Sequence, residues 1–214
     1  MVALGWILSV FIGALPFYFS GAMNMVDAYF ESMSGLTTTG ATVMEVIESH
    51  SKSLLFWRSF TQWLGGMGII VLFVAVLPYL GAGGKQLFRS EVTGPDPRGL
   101  SPRIKDTASF LYKIYFGMTL VLILLLYIAG MNLYDAMCHT FTTISTGGFS
   151  PRQDSVAYFD SLTIELIIIL FMVLGGTNFA LYFAMYRNKK FLLFQDTEWR
   201  AFILILALSS LLIT

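Results

Sequence analysis

Two short runs of hydroxyl residues and glycine carry the groups best suited to chemistry in this 214-residue chain. The first is Ser34-Gly-Leu-Thr-Thr-Thr-Gly-Ala-Thr42 and the second is Thr142-Thr-Ile-Ser-Thr-Gly-Gly-Phe-Ser150. They align without a gap at a constant offset of 108 residues, which lays Ser34 on Thr142, Thr38 on Thr146, Gly40 on Gly148 and Thr42 on Ser150. Carbonyl oxygens set along such a strand can replace the hydration shell of a cation. Gly40 and Gly148 would let the strand take backbone angles that turn carbonyls toward an axis without a Cβ clash. Six residues are therefore the candidate ion ligands: Thr38, Thr39 and Gly40 from the first run, and Thr146, Gly147 and Gly148 from the second.

The elements that would hold these runs follow from length. A helix from Asp27 to Leu36 rises about 15 Å, roughly half the hydrocarbon thickness of a bilayer. Asp27-Ala28 aligns with Asp135-Ala136, so each run is preceded by a short helix that starts at an aspartate. Asp27 and Asp135 are the expected N-caps, their carboxylates accepting from the first free N–H groups. Such a helix stops in mid-membrane, where non-helical backbone must be buried by protein or line a wet cavity. Its carboxyl end points partial negative charge at the strand that follows. Longer apolar segments flank the half helices at Val2–Phe19, about Leu54–Leu80, Phe110–Ala129 and Leu162–Tyr186. A last apolar run, Ala201–Thr214, covers about 21 Å and is too short to cross.

The expected fold class is thus an all-α integral membrane protein of tandem membrane-pore-membrane repeats with re-entrant pore helices and filter loops. Residues 1–80 form the first repeat and 81–108 a cytoplasmic loop rich in glycine and proline. Residues 109–187 form the second repeat, and 188–214 a linker with the start of a third. On this reading the chain is a fragment of a longer transporter, or pairs with a second copy to complete a pore.

Composition agrees: 56% of residues are hydrophobic and 12% charged, with mean hydropathy +0.72, far from a soluble domain of this size. The N-terminal run lacks a charged leader and a small-residue cleavage site, so it reads as a retained span. Formal net charge is zero, which gives no basic surface for nucleic acid. Cys138 is the only cysteine, so there is no intrachain disulfide and no metal cluster beyond the transported ion. Cys138 and His139 are neighbours on a helix and point apart, and no hydrolase or P-loop motif is present, so no enzyme, catalytic residue or covalent cofactor is expected.

Ten lysines and arginines, Lys85 through Arg200, flank the inter-repeat loops, against Lys52, Arg58 and Arg152 on the other side. That bias places the inter-repeat loops in the cytoplasm and the glycine strands toward the outside. There Asp27, Glu31, Glu45, Glu48, Asp135, Asp154, Asp160 and Glu165 would make an acidic vestibule that concentrates cations. Arg58 is expected to snorkel or to pair with Glu45 or Glu48. Gly65, Gly66 and Gly68 read as tight helix packing or as a hinge, and Gly175-Gly176-Thr177-Asn178 as a bend or cavity lining or, equally, as packing. Glu31 aligns with His139, which argues against a shared ligand role there and for packing or hydrogen bonding. A cation-coupled symporter with broken helices around a midplane site, using sodium or protons, and a non-conducting membrane scaffold remain as alternative readings.

Three motifs carry a family resemblance: Ser34 to Thr42, Gln62-Trp-Leu-Gly-Gly-Met-Gly-Ile-Ile70, and Thr146-Gly-Gly-Phe-Ser150. Together they resemble the Trk/Ktr/HKT superfamily of potassium transporters, nearest its bacterial TrkH branch, over essentially the whole chain. The resemblance implies four membrane-pore-membrane repeats in one polypeptide, with Gly40 and Gly148 as the filter glycines of the first two. It implies potassium as the transported ion and a homodimer in the cell's inner membrane. It also implies a cytoplasmic ring of nucleotide-binding regulatory subunits meeting the loops around Lys85–Lys105 and Arg187–Arg200. Each strand has a shorter glycine signature than a T-V-G-Y-G filter, so fewer well-formed sites and weaker discrimination against sodium are expected.

Overall fold

A computed structural model describes residues 2–80, 100–188 and 193–213. All regular secondary structure among them is helical: α1 (Val2–Phe19), α2 (Met25–Leu36), α3 (Lys52–Leu80), α4 (Leu100–Ile128), α5 (Leu133–Ile144), α6 (Leu162–Gly176), α7 (Phe179–Asn188) and α8 (Thr197–Ile213). Short 3-10 turns at Ile47–Ser49, Ser155–Phe159 and Leu193–Gln195 punctuate the connections. The two twelve-residue helices α2 and α5 sit between longer partners: α2 packs on α1 and α3, and α5 on α3, α4 and α6. Helix α3 therefore joins the two halves of the structure.

The interior is polar where the two short helices meet α3, with Glu31, Ser32, Arg58, Gln62, Asp135, His139 and Thr140 all buried. The periphery is apolar, with Leu4, Ile7 and Leu8 of α1, Leu120 and Leu124 of α4, and Leu166 and Ile169 of α6 exposed. Within α4, Ala108–Ile128 is long and apolar enough to cross a bilayer. An aromatic group of Phe56, Phe60, Trp63 and Phe141 fills the seam between α3 and α5, with neighbouring ring centroids 5.6–6.1 Å apart.

One expectation about the elements needs correction, and the bend read at Gly175–Asn178 is present. The loop assigned to 81–108 lies outside the described residues over 81–99, but from Leu100 its backbone is already helical. Pro102 falls in the first turn, where its missing N–H has no intrahelical partner to lose, and Arg103, Lys105 and Ala108 are good helix formers. The segment Leu162–Tyr186 is not one straight span. It breaks at Thr177-Asn178, and α6 and the body of α7 meet at 82°. The break is chemically sealed: the Thr177 hydroxyl donates to the Val173 carbonyl at 2.8 Å and the Tyr182 hydroxyl to the Leu174 carbonyl at 2.7 Å. The Val173 carbonyl is one that the end of a helix leaves without an N–H partner, and the Leu174 carbonyl, which already accepts from the Thr177 N–H at 3.3 Å, gains a second donor. Of the readings for Gly175–Asn178 the bend is present, Gly175 is also closely packed against Ile144, and a cavity of ≈ 70 Å³ lies beside the bend, lined by Gly176, Thr177, Asn178 and Trp199.

Candidate functional site

Each short helix begins with an asparagine. The Asn24 side-chain carbonyl accepts from the N–H groups of Val26 and Asp27 at 2.9 and 3.0 Å, and its amide donates to the Asp27 carboxylate at 2.7 Å. Asn132 does the same with Asp135, accepting from its N–H at 3.0 Å and donating to its carboxylate at 2.8 Å. Asp27 and Asp135 are therefore not the N-caps. They stand three residues further on, where a carboxylate reaches back to the cap and faces the positive end of the helix dipole. The asparagines, not the aspartates, have the extended backbone that a cap requires, with ψ of 170° and 156°. Asn24 and Asn132 share the 108-residue offset, so N-x-x-D was the legible signal.

Each short helix also ends in the same way. The N–H of Thr39 reaches the carbonyl of Ser34 and that of Thr38 reaches Gly35, at 2.9 and 3.0 Å. In the second copy Gly147 reaches Thr142 and Thr146 reaches Thr143, at 2.8 and 3.0 Å. These are Schellman closures, which place the residue after the cap in the left-handed region. Glycine or asparagine normally occupies that position, yet Thr38 has φ +54° and Thr146 has φ +55°. A β-branched residue held there costs about 1–2 kcal/mol, and such strain concentrates at functional sites. Gly40 and Gly148 then take φ +79° and +82°. Positive φ thus recurs two residues apart in each strand.

The strands are tied down at the edges and free in the middle. The Ser34 hydroxyl donates to the Ala41 carbonyl at 2.6 Å. The side-chain carbonyl of Gln62, on α3, accepts from the Phe149 N–H at 3.1 Å. Gln62 is fully buried, lies against Gly147, and keeps its amide nitrogen without a partner. Among the described residues no protein group donates to the carbonyls of residues 37–40 or 145–148. Gly40 and Gly147 meet, since a Cβ on Gly40 would occupy the place of the Gly147 carbonyl oxygen. Of the other candidate ligands, Thr39, Thr146 and Gly148 are exposed and Thr38 is half-buried. The Thr39 hydroxyl bonds that of Thr37 at 2.8 Å, leaving its carbonyl as the free oxygen.

Glycines seat the ends of both short helices. Gly65 of α3 lies under the carbonyl of Leu36, and Gly175 of α6 lies under that of Ile144, where a Cβ would come within 2.9 Å of the oxygen. Leu36 and Ile144 are again 108 residues apart. Gly65 thus provides close packing, as does Gly66 against Tyr115 and Ser145, whereas a Cβ at Gly68 would meet no described atom within 4 Å.

The charges correct the sequence reading twice more. Arg58 pairs with Glu31 at 2.6 Å, not with Glu45 or Glu48, because α3 brings it inside against α2 and the second strand. Glu31 and Asp135 also leave the acidic vestibule. Glu31 is buried in that pair, and Asp135 is buried against Arg152 at 2.7 Å, a hydrogen bond that raises the Arg152 pKa. The Asp27, Glu45 and His50 side of the surface still forms an open hollow of ≈ 290 Å³. His139, aligned with Glu31, packs edge-on against Phe159 at 5.4 Å and its Nε2 has no partner.

Comparison with known proteins gives a consistent picture. The family profile "TrkH: Cation transport protein" matches residues 1–214. The chain is 46% identical over 207 residues to the Trk system potassium uptake protein TrkH of Escherichia coli K12, covering 95% of this chain and 43% of that one. It is 40% identical over 219 residues to TrkG of the same organism, covering all of this chain and 45% of TrkG. The crystal structure of the potassium transporter TrkH from Vibrio parahaemolyticus matches with a TM-score of 0.83 at 42% identity, covering 97% of this chain and 42% of that one. The chain spans less than half the length of the relatives it matches.

Proposed function

The chain belongs to the TrkH family of cation transport proteins, and from that membership and the geometry of the two strands we propose that it takes part in potassium uptake across the inner membrane. The ion would pass through a channel-like path and be partly dehydrated by the free carbonyls of Thr38, Thr39, Gly40, Thr146, Gly147 and Gly148. Residues 1–80 and 109–187 would act as the first two membrane-pore-membrane repeats, with α2 and α5 as pore helices whose carboxyl ends face the ion. Two strands supply half of a ring of four, so repeats outside this stretch or a second copy would complete it. The exposed apolar faces of α1, α4 and α6 would then meet lipid or those further repeats. Inter-repeat loops would lie in the cytoplasm and meet a nucleotide-binding regulatory subunit in a homodimeric assembly.

The single observation that carries this reading is the matched pair of strands. Each has a threonine forced into left-handed backbone, a glycine two residues on, and main-chain oxygens that no donor among the described residues satisfies. Unsatisfied oxygens at depth are expensive unless water or an ion takes them. The test is uptake by the intact protein reconstituted into lipid vesicles, with potassium, rubidium and sodium compared. Uptake should follow potassium and rubidium over sodium, and Gly40→Ser and Gly148→Ser should lower that preference. Unchanged selectivity in both variants would refute the assignment. Uptake that required a sodium or proton gradient would identify a coupled symporter instead.

A further inference from the structure

One buried ion pair touches both strands at equivalent places. Arg58 and Glu31 have side chains only 2% and 0% exposed, with Nε 2.6 Å from the carboxylate. Glu31 accepts the Thr42 hydroxyl at 2.8 Å on one oxygen and the Val43 N–H at 3.1 Å on the other. Arg58 Nη1 donates to the Ser150 carbonyl at 3.0 Å, and its guanidinium lies 3.6 Å from the centre of the Phe149 ring. Thr42 and Ser150 each stand two residues beyond the glycine of their strand and are related by the same 108-residue offset. A single pair therefore spans the two strand exits.

The second half has no counterpart. His139 stands where Glu31 would, and α6 contains no lysine or arginine. A buried ion pair adds little net stability, since desolvation offsets the attraction; its rigid, multiply bonded geometry is what it contributes. We propose that the Arg58–Glu31 pair is a positioning element for ion discrimination. It fixes the separation of the two exits at Thr42 and Ser150, and hence the spacing of the carbonyls upstream on which potassium is told from sodium. The proposal rests on the potassium path described above.

The test uses Arg58→Lys, which keeps the charge but cannot form both bonds of the guanidinium fork or stack on Phe149 in the same way. The double variant Glu31→Gln/Arg58→Gln serves as the partner, because it leaves no charge buried alone. KM and maximal rate for potassium and for sodium are measured per folded molecule of the intact protein in vesicles. The potassium-to-sodium ratio should fall about tenfold, equivalent to about 1.4 kcal/mol, mainly through a raised KM for potassium. A ratio within about twofold of wild type in the folded variants would overturn the proposal. Loss of folded protein in both variants would equally overturn it, showing a pair needed for folding alone. If wild-type protein itself shows no potassium preference, the failure belongs to the proposed function.

Discussion

Replacing the two strand glycines by alanine should have separable consequences. Both have φ near +80°, so an added Cβ strains either position by about 1–2 kcal/mol. At Gly148 the Cβ meets no described atom within 4 Å, whereas at Gly40 it runs into the Gly147 carbonyl oxygen of the facing strand. That oxygen is backbone and cannot rotate aside, so Gly40→Ala carries a further 1–3 kcal/mol, roughly, as overpacking. If the strand relieves its φ strain by turning a carbonyl away, 1–2 kcal/mol of lost ion coordination lowers the potassium-to-sodium ratio by roughly 5- to 30-fold. The assay is rubidium uptake with competing sodium in cells lacking their own potassium uptake systems, alongside thermal unfolding of the purified protein. Gly148→Ala should lose selectivity while keeping near-normal amounts of folded protein, and Gly40→Ala should lose both. Wild-type selectivity in Gly148→Ala, or equal stability of the two variants, would refute the reasoning.

Thr146→Asn, which suits a left-handed position, should raise thermal stability by up to about 1 kcal/mol while reducing selectivity; a variant that gains stability at full selectivity would show the strain to be idle. Asn24→Ala should destabilise by about 0.5–2 kcal/mol, more than Asp27→Ala, as read by denaturant or thermal unfolding, because the cap is the asparagine. Gly65→Ala should lose folded protein in detergent because its Cβ meets the Leu36 carbonyl, whereas Gly68→Ala, whose Cβ meets no described atom within 4 Å, should stay within about 0.5 kcal/mol of wild type.

Much of this arrangement was legible because it repeats. The 108-residue offset located both short helices to within two residues, since a half-membrane length followed by hydroxyls and glycine is an unusual pattern. What the pattern could not convey was which side chains closed each element. An aspartate and an asparagine three residues apart are both good caps, and the choice depends on which residue has the extended backbone. The left-handed threonines were hidden for the opposite reason: propensity argues against them, and only the Schellman geometry imposes them. The Arg58 partner was missed because Glu45 and Glu48 lie nearer in sequence, while Glu31 becomes adjacent only when α2 packs against α3. Proline and glycine hid the start of α4, whereas Gly175-Gly176-Thr177-Asn178 marked the break between α6 and α7; what the pattern did not convey is that Thr177 and Tyr182 close it by reaching carbonyls on their own segment.

The most direct test of the central claim is anomalous diffraction from crystals of the intact protein soaked in rubidium or thallium, which stand in for potassium. The account expects density in contact with the main-chain oxygens of Thr38 to Gly40 and Thr146 to Gly148. Ordered ions bound elsewhere, with those oxygens turned away or satisfied by protein donors, would contradict it.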